Sequence, residues 1–452
     1  MADQLIASTE HTVIVGTGST GLSCARHLRT ANRLFSVVDT RDNPPGLEAM
    51  QDIVPAENIH RGGCPPELFE VATEFVVSPG VPLDIPLVQA ALDAGISVVG
   101  DVDLFMREAM APVVGITGSN AKSTVTELVG RMATAAGLDV GVGGNLGTPA
   151  LDLLAPERDV YVIELSSFQL ERAGDLGLAV ATVLNVTADH LDRHRDMPGY
   201  HQVKHRIFRG CQKVVIHRDD ALTIPLVPAE VEMMSWRLGE PDLEGFGLRE
   251  VQGEECLCQG FEALLPVDEL ALPGRHNVAN ALAALALGRC AGLPMAAMLD
   301  TLRVYRGLPH RCELVAELDG VRYVNDSKGT NIGATEAALR GLGADRNILL
   351  LAGGQAKGAS FRQLQSAVAK HCKVLILFGE DADEIEEALA EVAPILRVES
   401  LEDGVAAARQ EAEEGDCVLL SPACASFDMF ESYQQRGDVF RRAVEAFSEV
   451  AA

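Results

Sequence analysis

The sequence predicts an α/β chain of three domains, on three observations. Short β-branched runs alternate with helix-like segments from end to end, the pattern of buried parallel strands and their crossovers. Glycine-containing turns follow strands and open helices at residues 16–21 and 118–124. And 452 residues are too many for one hydrophobic core.

In the first unit, residues 11–15 read as a strand, 21–30 as a helix, and 34–38, 75–77 and 97–99 as further strands. Between the first strand and helix lies Gly16-Thr17-Gly18-Ser19-Thr20-Gly21. Asp39 follows about twenty residues on, the spacing of a dinucleotide fingerprint. Such a turn lets a pyrophosphate approach a helix N-terminus, and a nicotinamide dinucleotide or a nucleotide sugar satisfies it equally. Ser78-Pro79-Gly80-Val81-Pro82 forms a turn cluster after the third strand.

The second unit opens with the most informative segment, Val113-Val114-Gly115-Ile116-Thr117-Gly118-Ser119-Asn120-Ala121-Lys122-Ser123-Thr124, ahead of a helix over 125–132. This is the layout of a phosphate-cradling loop, with Lys122 reaching the β/γ-phosphates and the Ser123 hydroxyl on Mg²⁺. Its spacing departs from the Walker pattern, which wants glycine where the chain has Ile116 and Ala121. Strands are expected at 161–163, 180–184 and 214–216. Glu164, at the end of the first of these, faces a metal beside such a loop or else serves the helix start that follows. His190, His194, His201 and His205 crowd one segment and suggest Zn²⁺. No cysteine lies nearby, however, and Mg²⁺ needs few protein ligands because it keeps waters and phosphate oxygens. Residues 229–272 read as a small antiparallel β insertion, and 277–293 as an alanine-rich helix.

The third unit begins near Leu308. Strands at 322–324, 348–351, 374–377 and 418–420 present Asn325-Asp326-Ser327-Lys328-Gly329-Thr330-Asn331, Gly353-Gly354-Gln355-Ala356-Lys357-Gly358 and Ser421-Pro422-Ala423-Cys424-Ala425-Ser426-Phe427 at their ends. Such cationic and hydroxyl groups at strand C-termini suit a small anionic substrate. Cys424 has no adjacent base and reads as a buried thiol. The acidic run at 380–387 is the solvated face of a helix.

A net charge of −28 argues against nucleic acid or an anionic membrane as partner. The ten cysteines are scattered, which fits a reducing compartment. With no signal-like N-terminus and no apolar run of membrane-spanning length, a cytoplasmic protein without membrane insertion is expected.

Six segments then occur in an informative order: Gly118 to Thr124; Glu164-Leu165-Ser166-Ser167-Phe168-Gln169; Asn185-Val186-Thr187-Ala188-Asp189-His190-Leu191-Asp192-Arg193-His194; Gly274-Arg275-His276-Asn277; Asn325 to Asn331; and Ser421 to Ser426. Together they resemble the Mur ligases of peptidoglycan synthesis across all three domains. The resemblance implies a Rossmann-like domain at 1–100 that binds a UDP-sugar, a central P-loop ATPase-like domain at 101–307, and a Rossmann-like domain at 308–452 that takes the amino acid and closes over ATP. It implies that ATP phosphorylates the carboxylate of UDP-N-acetylmuramoyl-L-alanine, and that the amine of D-glutamate attacks the acyl phosphate through a tetrahedral intermediate. Two Mg²⁺ ions are implied, one on Ser123 and Glu164, the other on His190 and a CO₂-derived carbamate of Lys204. Lys122, Asn145, His190 and Lys204 would act at the reacting groups. Gly118, Ser119, Asn120, Lys122, Ser123, Thr124, Asn277, Asn280, Arg311 and Asp326 would hold ATP. Gly18, Ser19, Thr20, Asp39, Thr40, Arg41, Ser78, Pro79 and Gly80 would hold the UDP-sugar, and Lys328, Thr330, Lys357, Ser426 and Phe427 D-glutamate. A monomer is expected. Two other readings are weaker on the residues alone. A nicotinamide dehydrogenase gives Lys122, Glu164 and His190 no role, and a non-catalytic nucleotide-binding protein leaves Lys328 and Lys357 idle.

Overall fold

Three sheets, each with helices packed on it, carry the chain in the computed structural model, which describes residues 10–450 except 273, 357 and 359. The first sheet holds β1 (His11–Val15), β2 (Leu34–Asp39), β3 (Ile59–Arg61), β4 (Ala72–Val77) and β5 (Ser97–Val99), in the order β3-β2-β1-β4-β5. All its pairs are parallel. The direction of strand addition reverses between β1 and β4, so the turns after these two strands flank the crevice where ligands of doubly wound sheets sit.

The central sheet contains β6 (Val113–Thr117), β7 (Val140–Gly144), β8 (Val160–Glu164), β9 (Val180–Val183), β10 (Lys213–His217), β11 (Glu232–Trp236), β12 (Phe246–Val251), β13 (Glu254–Gln259) and β14 (Glu262–Pro266). Its order, β14-β13-β12-β11-β10-β9-β6-β8-β7, puts β6 between β8 and β9 at a second switch point. The expected insertion at 229–272 is not a separate element. β11 pairs parallel with β10, and β12 to β14 extend the same sheet as an antiparallel meander.

The third sheet holds β15 (Glu313–Leu318), β16 (Val321–Asn325), β17 (Ile348–Gly353), β18 (Cys372–Phe378), β19 (Ile395–Arg397) and β20 (Cys417–Leu420), ordered β15-β16-β20-β17-β18-β19. Only β15 runs antiparallel to its neighbour. β20 lies between β16 and β17, which brings the loops at 326–331 and 421–427 side by side.

The predicted strands are present, and β3, β7, β15 and β19 are additional. β7 was obscured by its glycines, which close packing explains: a Cβ on Gly141 would lie 2.6 Å from the Tyr161 ring, and one on Gly143 2.3 Å from the Thr148 carbonyl oxygen. The alanine-rich helix spans Arg275–Cys290 rather than 277–293, because Gly292 takes φ +81° and ends it. The core of the first sheet runs without a break into the central one, through Val102, Phe105 and Tyr161. Among the described residues no helix is long and apolar enough to cross a membrane.

Candidate active site

The phosphate loop is built by β6 feeding the helix Lys122–Ala135. Ala121, where glycine is common, adopts φ +67° and so holds a left-handed conformation that costs an L-residue about 1 kcal/mol. Neighbouring contacts hold it there. The Ser119 N–H donates to the Asn185 carbonyl at 3.0 Å, the Asn120 N–H to the Asn185 side chain at 2.9 Å, and the Ser119 hydroxyl to the Thr187 carbonyl at 2.9 Å.

Two cations meet at this loop. Lys122 Nζ donates to the carbonyls of Gly118 (2.8 Å) and Ser119 (3.0 Å), and Lys204 Nζ donates to the same Gly118 carbonyl at 2.8 Å. Lys204 is 1% exposed, lies on the helix Met197–His205, and stands 4.6 Å from the centre of the Tyr200 ring. Burial pushes its ammonium well below the ordinary lysine range, and the Lys122 charge pushes it further.

Glu164 closes β8, 1% exposed. One carboxylate oxygen accepts from Asn145 Nδ2 at 2.6 Å, while the other is buried without a hydrogen-bond partner among the described residues. A buried carboxylate oxygen left in this state suits a cation. The four histidines do not converge on one point: His194 contacts the Ser167 hydroxyl, His190 packs edge-on to Phe168, and His201 lies against His205, ring centres 3.9 Å apart, whose Nε2 contacts the Leu222 carbonyl. Among the described residues no group of three His, Cys, Asp or Glu side chains could share a metal. The Ser123 hydroxyl and the free oxygen of Glu164 are oxygen donors, the kind that suits a hard cation completed by water and phosphate oxygens.

The third domain reaches into this loop. Arg311 Nη2 donates to the Ser123 hydroxyl at 2.6 Å, and Asn331 Nδ2 donates to both Asn120 Oδ1 (3.0 Å) and Asp189 Oδ2 (3.1 Å). Asp326 accepts from the Ser421 hydroxyl at 2.7 Å and the Cys312 N–H at 3.1 Å; burial nevertheless raises its carboxyl to about 6.

Two cavities adjoin here. One is lined by Asn120, Thr124, Asn277, Asn280, Arg311, Asp326 and Lys328, with the stacked pair His217 and Trp236 (ring centres 4.1 Å apart) and His276 on its wall. The other is lined by Ser119, Lys122, Ser123, Asn145, Glu164, His190, Lys204, Thr330, Ser426 and Phe427. Arg311 and Lys328 border both. The Gly118 carbonyl accepts from Lys122 and Lys204, both of which line the second cavity. Lys357 lies outside the described residues. Cys424 is fully buried, as expected of a structural thiol.

The remaining predicted residues gather at the switch point of the first sheet. Gly18 caps the helix Ser19–Thr30, whose first turn includes Thr20, and the Ser78 N–H bonds to Val15 beside them. The Asp39 carboxylate accepts from the Thr17 hydroxyl (3.1 Å) and the Arg41 guanidinium (2.8 Å). Burial alone would raise this carboxyl, but those donors outweigh it and hold it below the usual range. Thr40 and Arg41 are exposed at the rim, and Pro79 and Gly80 form the facing turn.

Residues missed from the sequence include Tyr433, whose ring centre lies 4.1 Å from Lys328 Nζ, and Asn331 as a bridge between domains. Tyr433 stands outside every motif, at the start of the C-terminal helix, so pattern alone held no signal for it.

Comparison with known proteins places the chain among relatives. Three family models match in order: Mur ligase MurD-like, N-terminal domain, over residues 10–100; Mur ligase middle domain, over 116–288; and Mur ligase, glutamate ligase domain, over 310–424. UDP-N-acetylmuramoylalanine--D-glutamate ligases of Pseudomonas fluorescens Pf-5 and Pseudomonas aeruginosa are each 52% identical over 443 residues, 98% of this chain and 99% of each relative. Among solved structures, a MurF ligase from Thermotoga maritima in complex with ADP matches with a TM-score of 0.60 at 15% identity, covering 99% of this chain and 100% of that one. UDP-N-acetylmuramate-alanine ligase MurC from the same organism matches at 0.59 and 16%, covering 97% and 99%. At such identities the structures speak for the fold alone. The family models and the full-length relatives do more, and the chain belongs to the Mur ligase family.

Proposed function

We propose that this chain is an ATP-dependent amide ligase that joins D-glutamate to UDP-N-acetylmuramoyl-L-alanine in peptidoglycan precursor synthesis. Relatives of that name are about half identical over nearly the whole chain. The observation that carries the chemistry is the pair of adjoining cavities bordered in common by Arg311 and Lys328. A nucleotide in the first points its terminal phosphate at the second, where a carboxylate and an amine can meet.

A carboxylate is a poor electrophile, so transfer of the terminal phosphoryl group supplies a leaving group, and amine attack on the acyl phosphate then gives the amide and phosphate. Lys122 neutralises charge on the transferring phosphoryl, a task of positioning and electrostatics. Asn145 and His190 stand at the wall where the acyl phosphate and incoming amine meet. In the first cavity, Asn277, Asn280, Arg311 and Asp326 take the adenosine and its phosphates. Lys328, Thr330, Ser426 and Phe427, with Lys357, take the amino acid's carboxylates and backbone. Gly18, Ser19 and Thr20 receive the pyrophosphate, and Asp39, Thr40, Arg41 and Ser78 to Gly80 form the uridine pocket.

Ser123 and Glu164 suit one Mg²⁺, and His190 with a carbamylated Lys204 a second; these ions supply charge neutralisation at the phosphates. The unpartnered oxygen of Glu164 supports the first. For the second, burial favours the neutral amine of Lys204, the form that adds CO₂ and releases a proton. The domain roles follow the boundaries 1–100, 101–307 and 308–452. The chain works as a cytoplasmic monomer without nucleic-acid or membrane partners, in keeping with its charge of −28.

The test is phosphate release with UDP-N-acetylmuramoyl-L-alanine, D-glutamate and Mg-ATP. Release is expected with D-glutamate and not with L-glutamate or meso-diaminopimelate; release with one of the latter alone overturns the amino-acid assignment.

A further inference from the structure

The C-terminal helix Tyr433–Val450 carries a cation with no part in the reaction just described. Arg436 is 0% exposed. Its Nε donates to the Ser327 hydroxyl (3.1 Å), Nη1 to the Ala425 carbonyl (3.2 Å), and Nη2 to the carbonyls of Ser327 (2.8 Å) and Cys424 (3.1 Å). A buried charge is costly unless fully hydrogen-bonded. Here the guanidinium is satisfied by neutral oxygens on two loops about a hundred residues apart in sequence. Its rigid planar fork holds both with five donors in fixed directions, where a lysine ammonium has three on a flexible stem.

We propose that Arg436 is the positioning residue of the amino-acid pocket, fixing the loop that carries Lys328 against the loop that carries Ser426 and Phe427. The inference rests on the ligase reading for the identity of the pocket. Two of the three clamped residues immediately precede a pocket residue: Ser327 precedes Lys328, and Ala425 precedes Ser426. The second loop needs a clamp, because Ala423 adopts φ +62°, a left-handed conformation that persists only when its surroundings impose it. The Ala423 N–H bonds to the Gly329 carbonyl at 2.9 Å, a second tie between the same two loops. The nucleotide side is held differently. Asp326, one residue before Ser327, is fixed by the Ser421 hydroxyl and the Cys312 N–H, neither of which touches Arg436. Loss of Arg436 therefore loosens the amino-acid pocket most, and reaches the nucleotide pocket only through Lys328, which borders both, and through its charge near Asp326.

Arg436→Lys and Arg436→Met test this in the full chain. The KM for D-glutamate rises about tenfold or more, the worth of one charge-assisted hydrogen bond, while the KM for ATP moves less than about twofold. Amide hydrogen exchange quickens at residues 327–330 and 423–427, while β17 and β18 keep their protection. Equal rises in all three KM values, unchanged kinetics in both variants, or exchange quickened throughout the third sheet would each overturn the inference. Should the wild-type chain fail to use D-glutamate, the ligase reading fails, and the exchange pattern of the lysine variant still decides the role of Arg436.

Discussion

Arg311 donates to the Ser123 hydroxyl at 2.6 Å, so a side chain of the third domain reaches the first turn of the phosphate-loop helix. That hydroxyl is the oxygen read as a magnesium ligand, and Arg311 borders both cavities. With a nucleotide in the first cavity, the guanidinium would exchange Ser123 for a phosphate oxygen, where its planar fork would bond more strongly. Arg311→Ala is expected to lower kcat/KM for ATP about tenfold to a hundredfold, about 1.5–3 kcal/mol, leaving the KM for the UDP-substrate in place. Steady-state kinetics with ATP varied read this directly, and an unchanged ATP dependence removes Arg311 from the phosphates.

Asn331 makes the second bridge, donating to Asn120 and Asp189 while its own side-chain oxygen accepts from the Ala334 N–H and caps the helix Ile332–Leu342. One amide thus joins the third domain to the phosphate loop and to the segment carrying His190. Asn331→Ala loses two interdomain hydrogen bonds of about 1 kcal/mol each, which shifts a closed-to-open equilibrium about tenfold or more toward open. X-ray scattering is expected to show a larger radius of gyration for the variant, with slower phosphate release. Identical scattering and rate show that the bridge does not hold the domains.

Much of this site was legible because its residues follow strand C-termini, where motif and topology point the same way. Lys122, Glu164 and Asp326 stand at the ends of β6, β8 and β16 or just after them; β6 and β8 are buried throughout and largely apolar, and β16 is buried but for Arg322. What the sequence concealed is of two kinds. β7 is hidden because its glycines serve packing against Tyr161 and Thr148 rather than a turn, which inverts the usual meaning of glycine. Asn331, Tyr433 and Arg436 are hidden because their partners lie on other loops or another domain, and no local period records such contacts. Ala121 falls between the two. It breaks the familiar glycine pattern, yet the backbone conformation is kept, at φ +67°.

Asp326 gives a pH signature. Its carboxyl rises from 3.8 to about 6 in the folded chain because burial disfavours the charged form. The folded state therefore holds this proton more tightly than the unfolded state does. The group's contribution to stability is greatest below about pH 4, is lost as pH rises through about 6, and is flat above. Asp326→Asn removes the titration. The stability of the variant relative to wild type is expected to increase between pH 4 and 6 and then level, by at most roughly 3 kcal/mol, the value of that pKa change. Denaturant melts at pH 4.5, 5.5 and 7 measure it, and a pH-independent difference refutes it.

Gly18 and Gly21 divide binding from folding in the first domain. A Cβ on Gly21 would lie 2.0 Å from the Gly16 carbonyl oxygen, a backbone atom that cannot rotate away, so Gly21→Ala must spread the turn between β1 and the helix it feeds. Overpacking of this kind costs about 1–3 kcal/mol or more. Gly18 has φ −70° and nothing within 4 Å of an added Cβ, so Gly18→Ala is expected to fold and to lose only the small N-cap preference of glycine over alanine. If a pyrophosphate lies against this turn, however, that empty space is where it approaches, and the added methyl group holds it off. Calorimetric titration with UDP is expected to show about tenfold weaker binding to Gly18→Ala at near wild-type stability, whereas Gly21→Ala melts at a clearly lower temperature. Wild-type UDP affinity in the Gly18 variant would place the pyrophosphate elsewhere.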